Sequence, residues 1–232
     1  MIDPQDPIHA RFELVAKEAQ TLTFLPRATE LQANAVGQVD EFLGELAMRK
    51  AECAQAGDEA AANALLAMEL SLRAVREELR MWIALKEDAP EKAWDTLVSA
   101  EDLCSFAVSV RAQIGVETRG LENLAKKLLA IERLVFPPQV FCSVGGRVNY
   151  RECSICGEDY ETCHHIKGRA YMGQQCHVKL SFGDLREVSL VSTPADKRCC
   201  LTHFSDQGKM RNRMTWRLED SPPESSPTDQ GV

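Results

Sequence analysis

Between Ala28 and Phe136 large apolar residues recur at alternating spacings of three and four, with Ala, Glu, Arg and Lys between them. That is the pattern of helices that each bury one stripe. The clearest run is Leu65, Met68, Leu72, Val75, Leu79 and Trp82. Gly57 is placed to stop one helix and Asp58 to cap the next, so 30–56 and 58–87 are predicted to form an antiparallel hairpin. Pro90 opens a third helix carrying Trp94, Leu97, Val98, Cys104 and Val108, and a fourth carries Leu121, Leu124, Leu128 and Ile131. Four amphipathic helices with short turns predict an up-and-down bundle over 28–136, preceded by an N-terminal arm over 1–27. The bundle segment has 19 acidic and 12 basic residues and no histidine, so a metal site inside it would lack its usual ligands. Its stripe with Met68, Trp82 and Trp94 reads as core.

The pattern changes at Pro137-Pro138, which cannot continue a helix. Val140–Val144 and Arg147–Tyr150 flank Gly145-Gly146 and predict two short strands around a glycine turn, and Leu185–Val191 predicts another strand before Pro194. The fold class is therefore α+β: an N-terminal antiparallel helical bundle followed by a small zinc-stabilised β-rich module over 139–204. Residues 205–232 are predicted to be a polar, disordered tail, above all over the last dozen.

A chain of 232 residues, 44% hydrophobic, is long enough for a real core. Its apolar runs are broken by charge, and MIDPQDPIHA has neither a basic flank nor an apolar stretch, so a cytoplasmic protein without membrane spans is expected. The net charge of -8 argues against phosphate-backbone binding by the whole surface. Lys197, Arg198, Lys209, Arg211, Arg213 and Arg217, with Trp216, form a basic stretch that could meet nucleic acid. Another protein is the favoured partner.

Nine cysteines, an odd number, point to reduced thiols rather than a disulfide framework. Cys53 and Cys104 sit in helical sequence as small apolar residues, and Cys142, Cys199 and Cys200 are left outside any site. Cys153, Cys156, Cys163 and Cys176 instead crowd into 24 residues together with His164 and His165, with His177 just beyond. Cys153-Ser-Ile-Cys156-Gly157 aims two sulfurs at one ion across a tight turn, and Cys163-x-His165 and Cys176 follow. Five candidates compete for the four places of a tetrahedral Zn2+ site: Cys153, Cys156, Cys176, and one or both of Cys163 and His165. An iron–sulfur cluster on Cys153, Cys156, Cys163 and Cys176 is the rival metal reading. Few large apolar residues occupy 139–204, so an ion worth on the order of 10 kcal/mol would stand in for a core.

Three resemblances attach to these residues. The pattern CxICGxxYxxCxHxxGxxYxGxxC over Cys153–Cys176 resembles a cysteine-histidine module of uncharacterised bacterial and phage-related proteins, which implies metal binding and no particular activity. Glu187–Ala195, EVSLVSTPA, is similar to a segment of phage prohead maturation proteases, which would place a catalytic serine at Ser189. His164-His165-Ile166 with Cys176-His177 is similar to an HNH nuclease, although Lys167–Cys176 is short and holds no asparagine. The expected role is a non-catalytic interaction or adaptor protein. The competing class is a metal-dependent hydrolase, with His164 or His165 as the base of a nuclease or Ser189 as the nucleophile of a peptidase.

Overall fold

The structure, a computed structural model, describes residues 6–23 and 28–220. It is α+β. Helices α1 (Pro7–Thr21), α2 (Thr29–Gln55), α3 (Glu59–Lys86), α4 (Pro90–Gln113) and α5 (Arg119–Val135) precede seven strands, β1 (Phe141–Cys153), β2 (Ala170–Tyr171), β3 (Gln174–Gln175), β4 (Val178–Val191), β5 (His203–Asp206), β6 (Lys209–Asn212) and β7 (Leu218–Glu219). No helix among the described residues is long and apolar enough to cross a membrane.

The α2–α3 hairpin forms where its punctuation places it. Gly57 turns left-handed, and the Asp58 amide closes the end of α2 on the Cys53 carbonyl (2.9 Å). The Asp58 carboxylate then caps α3 by accepting from the Ala61 amide (3.0 Å). Helix α3 is central, with α2 and α4 packed along it and α1 lying against it. Burial therefore extends beyond the Leu65–Leu79 stripe to Ala62, Leu66, Leu70, Ala74 and Met81, while Trp82 at the stripe's end is only half-buried. The α5 residues Leu121, Leu124, Leu128 and Ile131 close the other side against α4. Cys104 is fully buried, its Sγ donates to the Leu121 carbonyl (3.2 Å), and burial pushes its pKa up to about 11. It is a core thiol.

Three expectations are corrected. Residues 7–21, within the stretch read as an N-terminal arm, form α1, which Asp6 caps and Pro7 opens, and which buries Phe12 and Ala19 against α2 and α3. The segments around Gly145-Gly146 are not two strands joined by a turn: they are one strand, β1, paired antiparallel along its length with β4 from Phe141↔Val191 to Cys153↔Val178. The glycines sit at irregularities in the register, so the chain runs straight through them. Residues 203–219, mostly within the stretch read as a disordered tail, form the sheet β5-β6-β7; the last dozen residues, 221–232, lie outside the described residues.

The carboxyl-terminal half is pinned to both ends of α4. At its start, Trp94 donates from Nε1 to the Lys197 carbonyl (3.0 Å), packs edge-on against Phe136 and stacks on Phe141. Lys197 bridges Glu101 (2.8 Å) and Glu132 (2.7 Å), and Arg198 reaches Asp102 (3.2 Å). At the other end, Gln113 Nε2 donates to the Ala170 carbonyl (2.9 Å) and Oε1 accepts from the Ala170 amide (2.8 Å). Asn63, near the start of α3, accepts from the Gly173 amide (2.8 Å). A Cβ at Gly173 would lie 2.8 Å from the Lys50 side chain and 3.3 Å from the Ala62 carbonyl, on a backbone at φ +74°, so glycine is required for this close seating.

Candidate metal centre

Strand β1 ends on Cys153, which is buried, and the chain turns at once. The Gly157 amide donates to the Cys153 carbonyl and the Cys153 amide to the Glu158 carbonyl, both at 2.9 Å. This folds Cys153–Cys156 into a knuckle with both sulfurs on one side. Its far edge is tied to the start of β4, because the Ser154 amide donates to the His177 carbonyl (3.0 Å).

The return path, from Asp159 to Arg169, has no regular structure. The amides of Thr162 and Cys163 both donate to the Asp159 carbonyl (3.1 Å). Two tyrosines of the sequence pattern hold the rest: the Tyr160 hydroxyl accepts from the Lys167 amide and the Tyr171 hydroxyl from the Ile166 amide, each at 3.0 Å. The Tyr171 ring also meets His165 edge-on, with centroids 4.7 Å apart. Their place in the spacing is thereby explained as positioning of the loop that carries Cys163 and His165.

The outcome is a cluster of three cysteines and one histidine. One ligand atom from each of Cys153, Cys156, Cys163 and His165 lies within 4.8 Å of all the others. Such a set is compatible with a metal ion, since a tetrahedron with metal–sulfur bonds of about 2.3 Å has sulfur–sulfur edges just under about 4 Å. His165 Nδ1 is buried and has no hydrogen-bond partner among the described residues. A buried imidazole nitrogen without a partner is costly, and a ligated ion would remove that cost. Both members of the Cys163-x-His165 pair belong to the set, which the irregular loop permits.

Cys176, the remaining candidate, is not in the mutual set. It is buried, with its Sγ 3.9 Å from Cys153 Sγ. Burial, reinforced by the neighbouring Cys153, pushes its pKa up to about 11. Cys153 moves the other way: burial acts to raise it, but the amides of Cys156 and Ile155 and the thiols of Cys156 and Cys163 outweigh that and bring it down to about 6. Burial raises Cys163. Cys153 and Cys176 therefore shift in opposite directions although their sulfurs are neighbours.

The other candidates fall elsewhere. His164 is exposed and outside the cluster, and His177 is exposed with its Nδ1 at 3.3 Å from the Gln175 carbonyl. Ser189 is exposed on β4, where its cross-strand partner is Ser143 and its chain neighbours are Val188 and Leu190. Most of the basic stretch is paired with acids of this chain, Lys197 and Arg198 as above, Arg211 with Asp206 (2.6 Å), Arg217 with Asp88 (2.5 Å) and Lys209 with Asp220 (3.5 Å), while Arg213 donates to the Pro138 carbonyl (3.3 Å). Asn63 and Gln113, which seat the loop, have no signal in the sequence because they act across the fold. No family model, curated protein or solved structure matches this chain.

Proposed function

We propose that the protein is a zinc-stapled interaction or adaptor protein in which Cys153, Cys156, Cys163 and His165 hold one structural Zn2+. The observation that carries this reading is the convergence of those four donor atoms within 4.8 Å, with the His165 Nδ1 otherwise unpartnered. Three thiolates and an imidazole suit zinc, and four protein donors leave it no open position for substrate. Cys176 sits behind Cys153, with the two sulfurs 3.9 Å apart. The hydrolase alternatives find less support: His164 stands outside the cluster, and Ser189 lies on an exposed ribbon beside another serine.

Elemental analysis of the purified chain tests this. One zinc per chain is expected, and Cys156→Ser and His165→Ala should each lower that stoichiometry, whereas His164→Ala should leave it unchanged. Without metal, limited proteolysis should open the loop between Cys153 and Val178 while helical circular dichroism persists. A metal-free chain with a protected loop would refute the structural role, and a nuclease activity abolished by His164→Ala would refute the adaptor reading.

A further inference from the structure

Strands β1 and β4 form a two-stranded ribbon whose middle faces solvent. The register places Cys142, Val144, Gly146 and Val148 opposite Leu190, Val188, Leu185 and Phe182. Alternate residues of β1 share a face, and cross-strand partners share that face, so these side chains line up on one side of the ribbon together with Leu180. The irregularities at Gly145/Gly146 and Gly146/Val148 keep this alignment, because each adds a residue to β4 where simple alternation would turn the apolar set over, whereas the one at Val148/Tyr150 adds a residue to β1 and brings Arg151 opposite Leu180. A Cβ at Gly146 would lie 2.6 Å from the Asp184 backbone carbonyl, so this approach needs glycine. The opposite face is mostly polar, with Ser143, Glu187, Ser189, Ser181, Lys179 and Glu152 beside Phe141, Val191 and Tyr150, and Arg151 stands opposite Leu180 on the apolar side.

This is an amphipathic ribbon with its apolar side outward. Leu185, Val188 and Leu190 are about 70% exposed, and Val144, Leu180 and Phe182 about half. A two-stranded ribbon is marginal alone in water and gains from having one face covered.

The geometry points to a second copy of this chain as the cover, with two ribbons packed face to face about a twofold axis near Gly146 and Leu185. Area and charge both favour that occupant. A fully exposed side chain of this kind offers roughly 100 Å² of apolar surface, so the six present about 350 Å² per copy. Two faces then remove about 700 Å², which at the ~65% apolar share of homodimer interfaces corresponds to a total of about 1,100 Å². That clears the ~1,000 Å² expected of a specific interface, at its low end, where a micromolar dimer is expected. The two strands carry Arg147, Arg151, Lys179 and Arg186 against Glu152, Asp184 and Glu187, so the ribbon is close to neutral although the chain is at -8. Two ribbons therefore meet without the repulsion that two acidic bundles would suffer, and a strongly charged partner finds little to complement. A twofold arrangement also makes the stripe complementary to itself. This inference does not depend on which ion the cluster holds.

Sedimentation velocity of the full chain as purified, from about 1 to 200 μM, tests it. The mass is expected to rise from one chain toward two. The double substitution Val188→Asp with Leu190→Asp should raise the dissociation constant roughly 100-fold or more, because it buries carboxylates. Metal content and helical circular dichroism should not change. If that variant loses metal or helix, Leu185→Ser serves in its place, with a smaller shift of about tenfold. The proposal is overturned if the chain stays monomeric across the range or if the dimer survives these substitutions unchanged. It is also overturned if a monomeric chain floats with phosphatidylcholine–phosphatidylglycerol vesicles and the double variant does not, which would make the ribbon a lipid-facing surface.

Discussion

Replacing Gln113 with alanine tests whether the cysteine-histidine loop and the bundle are one cooperative structure. Gln113 ends α4, and its amide makes both backbone hydrogen bonds of Ala170, at 2.8 and 2.9 Å, in the manner of a neighbouring strand. Ala170 is fully buried and belongs to the main core, and its carbonyl would retain only the 3.4 Å contact from Asn63. Each bond is worth about 1 kcal/mol net, so the loss is about 2 kcal/mol, rising toward about 4 kcal/mol if water does not reach the freed groups. With an m-value near 2–3 kcal/mol/M for urea, the midpoint should fall by about 0.7–1 M. Gln113→Glu keeps the acceptor and loses the donor, and should fall between. The measurement is urea unfolding followed both by helical circular dichroism and by protection of the loop amides. If Gln113→Ala moves the midpoint by less than about 0.2 M, or moves only the loop, the docking contributes nothing to the bundle and the reasoning fails.

Two further perturbations probe charge inside the fold. Glu78 is fully buried and Lys127 pairs with it at 2.5 Å, so Lys127→Met should strand the carboxylate, cost about 3 kcal/mol and lower the melting temperature by about 6–12 °C, with Glu78→Gln restoring most of it. Lys197→Ala should leave Glu101 and Glu132 facing each other and destabilise the chain by about 1–2 kcal/mol at neutral pH. Because protonation relieves that repulsion, the deficit should shrink toward pH 4; a deficit independent of pH would place its origin in lost packing instead.

The helices were legible wherever one stripe had one partner surface. Leu65–Leu79 and Leu121–Ile131 show the period, and Gly57-Asp58 and Pro90 mark the breaks with local chemistry that needs no tertiary contact. Helix α1 was missed because it buries chiefly Phe12 and Ala19, too little to stand out as a stripe. The ribbon was misread because irregular pairing interrupts the period of two, and because Gly145-Gly146 resemble a turn when their role is close approach within a long strand. The sheet β5-β6-β7 escaped notice since its strands are short and polar and its side chains pair within it, as His203 does with Glu219 and Arg211 with Asp206. At the candidate metal centre the donor types and their clustering were readable, because cysteines and histidines crowded into a short span have few other uses. The placing of Cys163 and His165 together, with Cys176 behind Cys153, depends on a loop path that Tyr160 and Tyr171 determine from the side.

The two strands of the ribbon are not joined by a two-residue reversal; the whole cysteine-histidine loop, with the small β2–β3 hairpin inside it, occupies the position of the bend. In an ordinary hairpin the bend type fixes which residues stand across from each other. Here that alignment is left to the path of the cysteine-histidine loop. A slip of one position would turn the apolar side of both strands over, so whatever the loop holds also decides which surface the arm displays, some forty ångströms along its length at about 3.3 Å per residue.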